Sequence, residues 1–294
     1  MAKSRQIKRR IRSIQNTRKI TRTMELVSTS KLRRAQDKVL ATRPYAQALS
    51  EVIASLSTPD LISQFPLLQR PKPPAKGGPT RAAVLLITSN RGLAGGFNAN
   101  LIKEARKLLE TLEKGGYQTE LHAVGKKGIG YFKFLGRPLA TARLDIGDKP
   151  TLAHAPELVN DLIAAYEAGK LASLDVIYAR FNSAISTPPV TLRVLPVEAP
   201  QAKTSGPRPD FIFSPGPEEI VERLLPLYVR NQIYRGLVET AASEHGARRT
   251  AMKNATDNAD ELLRILTRTA NRQRQAQITQ ELSEIVGGAA ALEG

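Results

Sequence analysis

The segment with the most chemical promise is ITSNRGLAGGFN, Ile87–Asn98, which follows an apolar run. A strand that passes through a Gly-rich turn into a helix is where backbone N–H groups and a helix N-terminus cradle phosphate. The segment matches neither G-x-G-x-x-G nor G-x-x-x-x-G-K-S/T, and no Lys followed by Ser or Thr occupies the phosphate-binding position. It reads instead as a tight strand-to-helix connection in which glycine supplies unusual backbone angles. Val124-Gly-Lys-Lys-Gly128 also follows a strand and could meet an anion, but without a Walker pattern it reads as a solvated loop. His122, His154 and His245 lie far apart and lack metal-ligand spacing. His122 falls in a strand and His245 in a helix seam, where packing or hydrogen bonding is their expected role. The clustered carboxylates Asp257, Asp260 and Glu261 fit a helix surface. The chain has no Cys, which excludes disulfides, thiolate metal sites and cysteine nucleophiles. No catalytic, cofactor or metal site emerges.

The elements that must position these residues fall into three zones. Residues 2–57 contain one Pro and no Gly, 58–216 hold nearly all the Gly and Pro, and 217–294 again have long stretches free of breakers. Absence of breakers is what a long helix needs. In the first zone Ile7, Ile11, Ile14, Leu32, Ala35, Val39, Ala46, Leu49, Ile53 and Leu56 share one 4,3 register. Arg18, Thr21, Glu25 and Ser28 interrupt it, and there the apolar stripe is expected to move to Ile20, Met24 and Val27. In the third zone, steps of 3 and 4 run from Leu224 through Leu227, Val238, Ala241, Met252, Ala259 and Leu262 to Leu266. Pro217 followed by Glu218 and Glu219 suits a helix start, and Gly287–Gly288 a helix end. Helices of about 50 and 70 residues would measure ~75 and ~105 Å. Neither has enough apolar face to be buried all round, so the pair is expected as an antiparallel two-stranded coiled coil.

The middle zone reads as α/β. Strands are expected at Arg81–Ser89, Thr119–Gly125, Leu174–Phe181 and Val190–Val197, and helices at Ala99–Lys114 and Pro156–Ala168. Alternation of this kind predicts a mostly parallel, Rossmann-like sheet inserted between the long helices. Pro-rich linkers are expected at 70–79 and 200–209. The expected division is therefore 1–57, 58–216 and 217–294.

The chain carries 44 Lys plus Arg against 27 Asp plus Glu, a net +17. Residues 1–57 hold 14 basic and 3 acidic residues, a net +11, whereas 217–294 hold 10 and 11, a net −1. A basic first helix suits nucleic acid, as in dimeric zipper proteins. Yet its cations extend to Arg43 and no aromatic platform accompanies them. The other reading is a basic shaft facing acidic protein partners. No apolar run approaches the ~20 residues that span a bilayer. The basic start is similar to a mitochondrial presequence, but reads as the first turns of a mature helix in an intracellular chain. A small nucleotide-binding α/β enzyme with helical extensions is the third reading.

Three segments in order carry a resemblance along essentially the whole chain. They are IRSIQNTRKITRTMELVSTSKLRRAQ (Ile11–Gln36) followed by RPYA (Arg43–Ala46), ITSNRGLAGGFN, and RQAQITQELSEIVGGAAAL (Arg274–Leu292). The sequence resembles the gamma subunits of bacterial-type F-type ATP synthases. The resemblance implies a coiled-coil shaft entering a hexamer of three alpha and three beta subunits. It implies a globular part on the epsilon subunit and the membrane ring of c subunits, with nucleotide sites on other chains. It also implies peripheral association with the cytoplasmic face of the plasma membrane, and no cofactor, metal or nucleic acid. Carried over residue by residue, Arg274 and Gln275 become polar contacts to a beta-subunit loop. Lys19, Arg22, Met24 and Glu25 become contacts to the beta subunits' acidic region or the opposite helix, and Thr279, Glu281 and Glu284 match the upper shaft. Ala94 stands where some relatives have Cys, and the cysteine-bearing insert of photosynthetic relatives is missing, so thiol regulation is excluded.

Overall fold

In a computed structural model, residues 2–56, 59–69, 80–198 and 216–293 are described; both expected Pro-rich linkers lie outside them. Two helices dominate. Helix α1 spans Ala2–Leu56. After α2 (Pro59–Gln64) and a 3-10 turn at Pro66–Leu68 come β1 (Arg81–Ile87), α3 (Phe97–Lys114), β2 (Gln118–Val124), α4 (Lys126–Phe134) and β3 (Thr141–Arg143). Then follow α5 (His154–Glu167), β4 (Leu171–Ala179), β5 (Pro189–Leu195) and α6 (Pro217–Glu293). Helix α6 thus passes through the Gly287–Gly288 pair expected to end it. Its interior Pro226 lies in the third turn, and Gly236 and Gly246 do not interrupt it either.

The chain divides into two compact units, residues 1–28 with 249–294, and residues 29–248. The larger unit is the α/β body. Its sheet has the order β3-β2-β1-β4-β5. β1 pairs in parallel with β2 and β4, and β2 with β3, whereas the edge strand β5 runs antiparallel to β4. The run Ala82–Ile87 is almost fully buried because both faces of β1 are covered, as expected of a central parallel strand. Ala82, Val84 and Leu86 meet α3 through Leu101, Ala105 and Leu109 on one face. Ala83, Leu85 and Ile87 share the other face's core with α5, the Leu49–Ile53 turn of α1 and the first turns of α6. The α6 contributors Val221, Leu225, Val229, Ile233 and Leu237 recur every four residues, which sets one stripe of the helix against the sheet. Leu227, placed on the seam by the 4,3 register, is instead 42% exposed. Gly246 earns its place in α6: a Cβ there would sit 3.1 Å from the Ala184 carbonyl oxygen.

Two elements depart from the expected set. The Val124–Gly128 segment is not a loop but the β2–α4 junction, with Gly125 as N-cap, although Lys126 and Lys127 are exposed. β3, three residues long, forms the other edge of the sheet.

The smaller unit is an antiparallel helix pair. The Arg18 guanidinium lies 2.7 Å from Asp260, and the Thr21 and Thr256 hydroxyls lie 2.8 Å apart. As residue numbers rise on α1 they fall on α6, which is the antiparallel pairing expected of the two ends.

Candidate partner-contact surface

The helix pair keeps a single seam. On α1 it runs through Ile7, Ile11, Ile14, Arg18 and Thr21 to Ser28, all half-buried or buried. The expected shift of the stripe to Ile20, Met24 and Val27 does not occur: Ile20 is 60% and Val27 51% exposed, while Thr21 and Ser28 are 8% and 3% exposed. The register continues unbroken and only its chemistry changes. The reason lies on α6, whose facing positions are themselves polar. The Thr256 hydroxyl lies 2.8 Å from the Met252 carbonyl and the Thr21 hydroxyl 3.1 Å from the Arg18 carbonyl. With one proton each, one of the two donates across the seam to the other, which donates to the carbonyl of its own helix. Each hydroxyl is thus satisfied in a buried position, as the low dielectric there requires. Asp260, read from sequence as a surface carboxylate, is half-buried and ion-paired with Arg18. The α6 side of the seam continues through Ala259, Leu263, Leu266, Ala270, Gln273 and Gln277. Leu262, the expected seam residue, is 49% exposed, and Leu263 takes its place.

The nine residues singled out from the sequence fall on this unit in two groups. Lys19 and Arg22 are exposed on α1, Met24 and Glu25 are half-buried, and the Arg22 guanidinium lies 3.8 Å from the Glu25 carboxylate. On α6, Arg274, Gln275, Thr279, Glu281 and Glu284 are all exposed. Three of these have local hydrogen bonds: Thr279 donates to the Gln275 carbonyl (3.0 Å), while Glu281 and Glu284 accept from Gln277 and Gln280 (both 2.9 Å). The groups are not brought together. Arg274 lies 18 residues beyond the Thr256 level at which Thr21 pairs, about 27 Å along a helix axis. They are two separate patches on one helix pair, the α6 group fully exposed and the α1 group partly so. Beyond Gln277, α6 shows an apolar stripe of Ile278, Leu282, Ile285 and Val286, each between 49% and 68% exposed.

In the α/β body the Gly-rich connection is closed by its own polar groups. The Ser89 N–H donates to Asn98 Oδ1 (3.1 Å). Asn90 donates through Nδ2 to the carbonyls of Leu144 (3.0 Å) and Ile146 (3.2 Å) and accepts from the Lys126 N–H (2.8 Å). Thr88, 5% exposed, donates its hydroxyl to the Val124 carbonyl (2.9 Å) and accepts from the Gly128 N–H (3.0 Å). Leu93 and Gly95 take positive φ (62° and 57°) at the turn. The geometry is that of a tight strand-to-helix connection.

The histidines sit apart. His122, 8% exposed, has Nδ1 3.0 Å from the Thr141 hydroxyl, and burial lowers its pKa. His154 Nδ1 accepts from the Thr151 N–H (3.2 Å) at the start of α5. His245 belongs to a cluster that sequence spacing did not disclose. Its Nε2 lies 3.7 Å from Asp148, whose other partner is Lys31 at 2.5 Å. Arg248, one turn on, pairs with buried Glu244 at 2.6 Å and donates through Nε to the Gly92 carbonyl at 3.2 Å. Burial, and then the Arg248 charge, depress the His245 pKa to about 4, whereas Asp148 is held below the usual carboxylate range chiefly by its bond from Lys31. The unfolded chain therefore binds a proton at this histidine that the folded chain refuses between pH 6.5 and about 4. The resulting stability is present above pH 6.5 and is lost as pH falls through that window. Substituting His245→Gln should remove this component of the pH slope, read as the urea midpoint at pH 7 against pH 4.5. Among the described residues no group of three His, Cys, Asp or Glu is arranged to hold a metal ion, and no helix is long and apolar enough to cross a membrane.

The comparisons agree along the whole chain. The ATP synthase family model matches residues 3–292. An ATP synthase gamma chain of Gemmatimonas aurantiaca is 55% identical, with 100% of both chains covered. The ATP synthase gamma chain of Frankia casuarinae is 43% identical over 98% of this chain and 97% of the relative. Among solved structures, a chain of the rotor of the Euglena gracilis mitochondrial ATP synthase has the same fold, with a TM-score of 0.64 at 17% identity over 94% of this chain and 99% of that one. A helix pair made from both ends of the sequence, a parallel-dominated sheet inserted between them, and matches of this length lead to one conclusion: the chain belongs to the ATP synthase gamma-chain family.

Proposed function

We propose that this chain is the central rotor stalk of a proton-driven ATP synthase, on the cytoplasmic face of the plasma membrane. The two long helices, within 1–57 and 217–294, supply the shaft, with their 29–56 and 217–248 parts built into the body, and 58–216 supplies the rest of the body that bears on the epsilon subunit and the membrane ring of c subunits. Proton flow turns the ring with the body, and the shaft turns inside a hexamer of three alpha and three beta subunits. The chain is not a catalyst; the nucleotide sites belong to the hexamer. Its task is to bias conformations: a rotor changes a site's equilibrium only by contacting that site's conformers differently. A two-helix shaft has no threefold symmetry, so at any angle it offers a different face to each of three identical neighbours.

The observation that carries this reading is the full-length 55% identity to a gamma chain. The exposed surface of the helix pair supports it. Lys19 and Arg22 offer positive charge to acidic partners, Arg274 and Gln275 offer polar contacts about 27 Å further along, and the Ile278–Val286 stripe offers an apolar end to a sleeve of subunits. Arg274→Ala with Gln275→Ala is the test of the contact assignment. ATP synthesis by the reconstituted complex at a fixed proton gradient should fall severalfold while the complex still assembles. Wild-type coupled synthesis would remove both residues from the torque contacts.

A further inference from the structure

Within the α/β body, α1, α6 and the segment at 148–150 line a half-open cavity of about 590 Å³. Small-molecule sites occupy about 300–1,000 Å³. Its wall is cationic. Lys31, Arg34 and Lys38 stand at i, i+3 and i+7 on one face of α1, and Lys149 joins them. Asp148 is the one carboxylate in the lining, and Lys31 already occupies it at 2.5 Å. Among the described residues, Arg34, Lys38 and Lys149 have no carboxylate partner, and all three are exposed. The floor is apolar: Ala35, Val238 and Ala241 are 8%, 1% and 6% exposed.

A second observation reports the same field. His245, 3% exposed, lines the cavity, and Lys31 and Arg91 add to the burial and Arg248 charge that keep its ring neutral. Three unpaired cations around one cavity repel one another, so an anion with several charges would relieve them together. A guanidinium and two ammonium groups match phosphate oxygens, the first as a planar fork and the others as point charges. Because the cations converge on a cavity of small-molecule size, the arrangement favours a compact polyvalent anion over an extended acidic segment.

We propose that this cavity binds an oligophosphate, with the phosphates on Arg34, Lys38 and Lys149 and any apolar moiety over Ala35, Val238 and Ala241. The full chain would be titrated calorimetrically with pyrophosphate, adenosine diphosphate, adenosine and a glutamate-rich peptide at two salt concentrations. The expected result is saturable, salt-weakened binding of pyrophosphate or adenosine diphosphate and none of adenosine. Tighter binding of the diphosphate would identify a nucleoside phosphate as the ligand type, and equal binding a free oligophosphate. Arg34→Gln, Lys38→Gln and Lys149→Gln together should weaken binding at least tenfold. Lys149→Gln alone, outside every helix, should weaken it severalfold with the unfolding midpoint unchanged. Three results would overturn the proposal: no saturable binding of either phosphate, wild-type affinity in the triple variant, or displacement of both phosphates by the tighter-binding peptide.

Discussion

Gly125→Ala should lower the stability of the chain by about 3–5 kcal/mol, a large part of the ~5–15 kcal/mol that holds a typical domain. Gly125 ends β2 and caps α4 with φ at +95°, where an L side chain is strained. A Cβ there would lie 2.1 Å from the Thr88 carbonyl oxygen and 2.6 Å from its carbonyl carbon. That is a backbone collision which no rotamer change relieves. Nor can the neighbours retreat. The Thr88 N–H donates to the Val124 carbonyl at 2.8 Å, and the Gly125 N–H donates to the Arg143 carbonyl at 2.9 Å. Relief would therefore break the β1–β2 and β2–β3 connections together. Urea unfolding measures the effect. Gly130→Ala is the control: it lies in the same helix, its Cβ would meet nothing within 4 Å, and helix propensity predicts a gain of up to about 1 kcal/mol.

Arg248→Ala should cost about 3–5 kcal/mol, because it strands a buried carboxylate. The Arg248 and Glu244 side chains are 7% and 8% exposed and lie 2.6 Å apart. Burial already pushes the Glu244 pKa up, with the Arg248 charge opposing it. Without Arg248 that opposition is lost and the pKa rises further. The folded variant then binds a proton that the unfolded chain releases, so its stability should rise as pH falls towards the ordinary glutamate range. The gap to wild type is widest near pH 7 and narrows on acidification. Adding Glu244→Gln should recover part of the loss at pH 7, since it removes the stranded charge but not the missing bond to the Gly92 carbonyl. Equal destabilisation of single and double variants at every pH would show that the charge is not the cause.

Much of the architecture could be read from sequence because its signals are local. The apolar run at Arg81–Ile87 marks a strand covered on both faces, and the missing Gly before residue 57 marks a long helix. What escaped reading depended on distant partners. Arg18 and Thr21 look like breaks in an apolar stripe until Asp260 and Thr256, more than 230 residues away, are set against them. The α4 helix was hidden by Gly128 and Gly130, which weaken helix propensity. Gly128 is needed there, because a Cβ would stand 2.9 Å from the Thr88 hydroxyl oxygen. β3 has only three residues, none fully buried, and so carries no apolar signal. The Lys31–Asp148–His245 cluster joins three remote segments and follows no motif spacing. The nine proposed contact residues rest on family resemblance. Their exposure on the helix pair suits partner contact, with Met24 and Glu25 lying closer to the seam.

Rotation of the proposed shaft can be watched directly. The chain has no Cys, so Phe134→Cys, at a position 90% exposed at the end of α4, provides a unique attachment point on this chain. A marker fixed there, in a complex with immobilised alpha and beta subunits, should turn in one direction during ATP hydrolysis and pause at three equally spaced angles per turn. Sustained hydrolysis with a stationary marker would contradict the account.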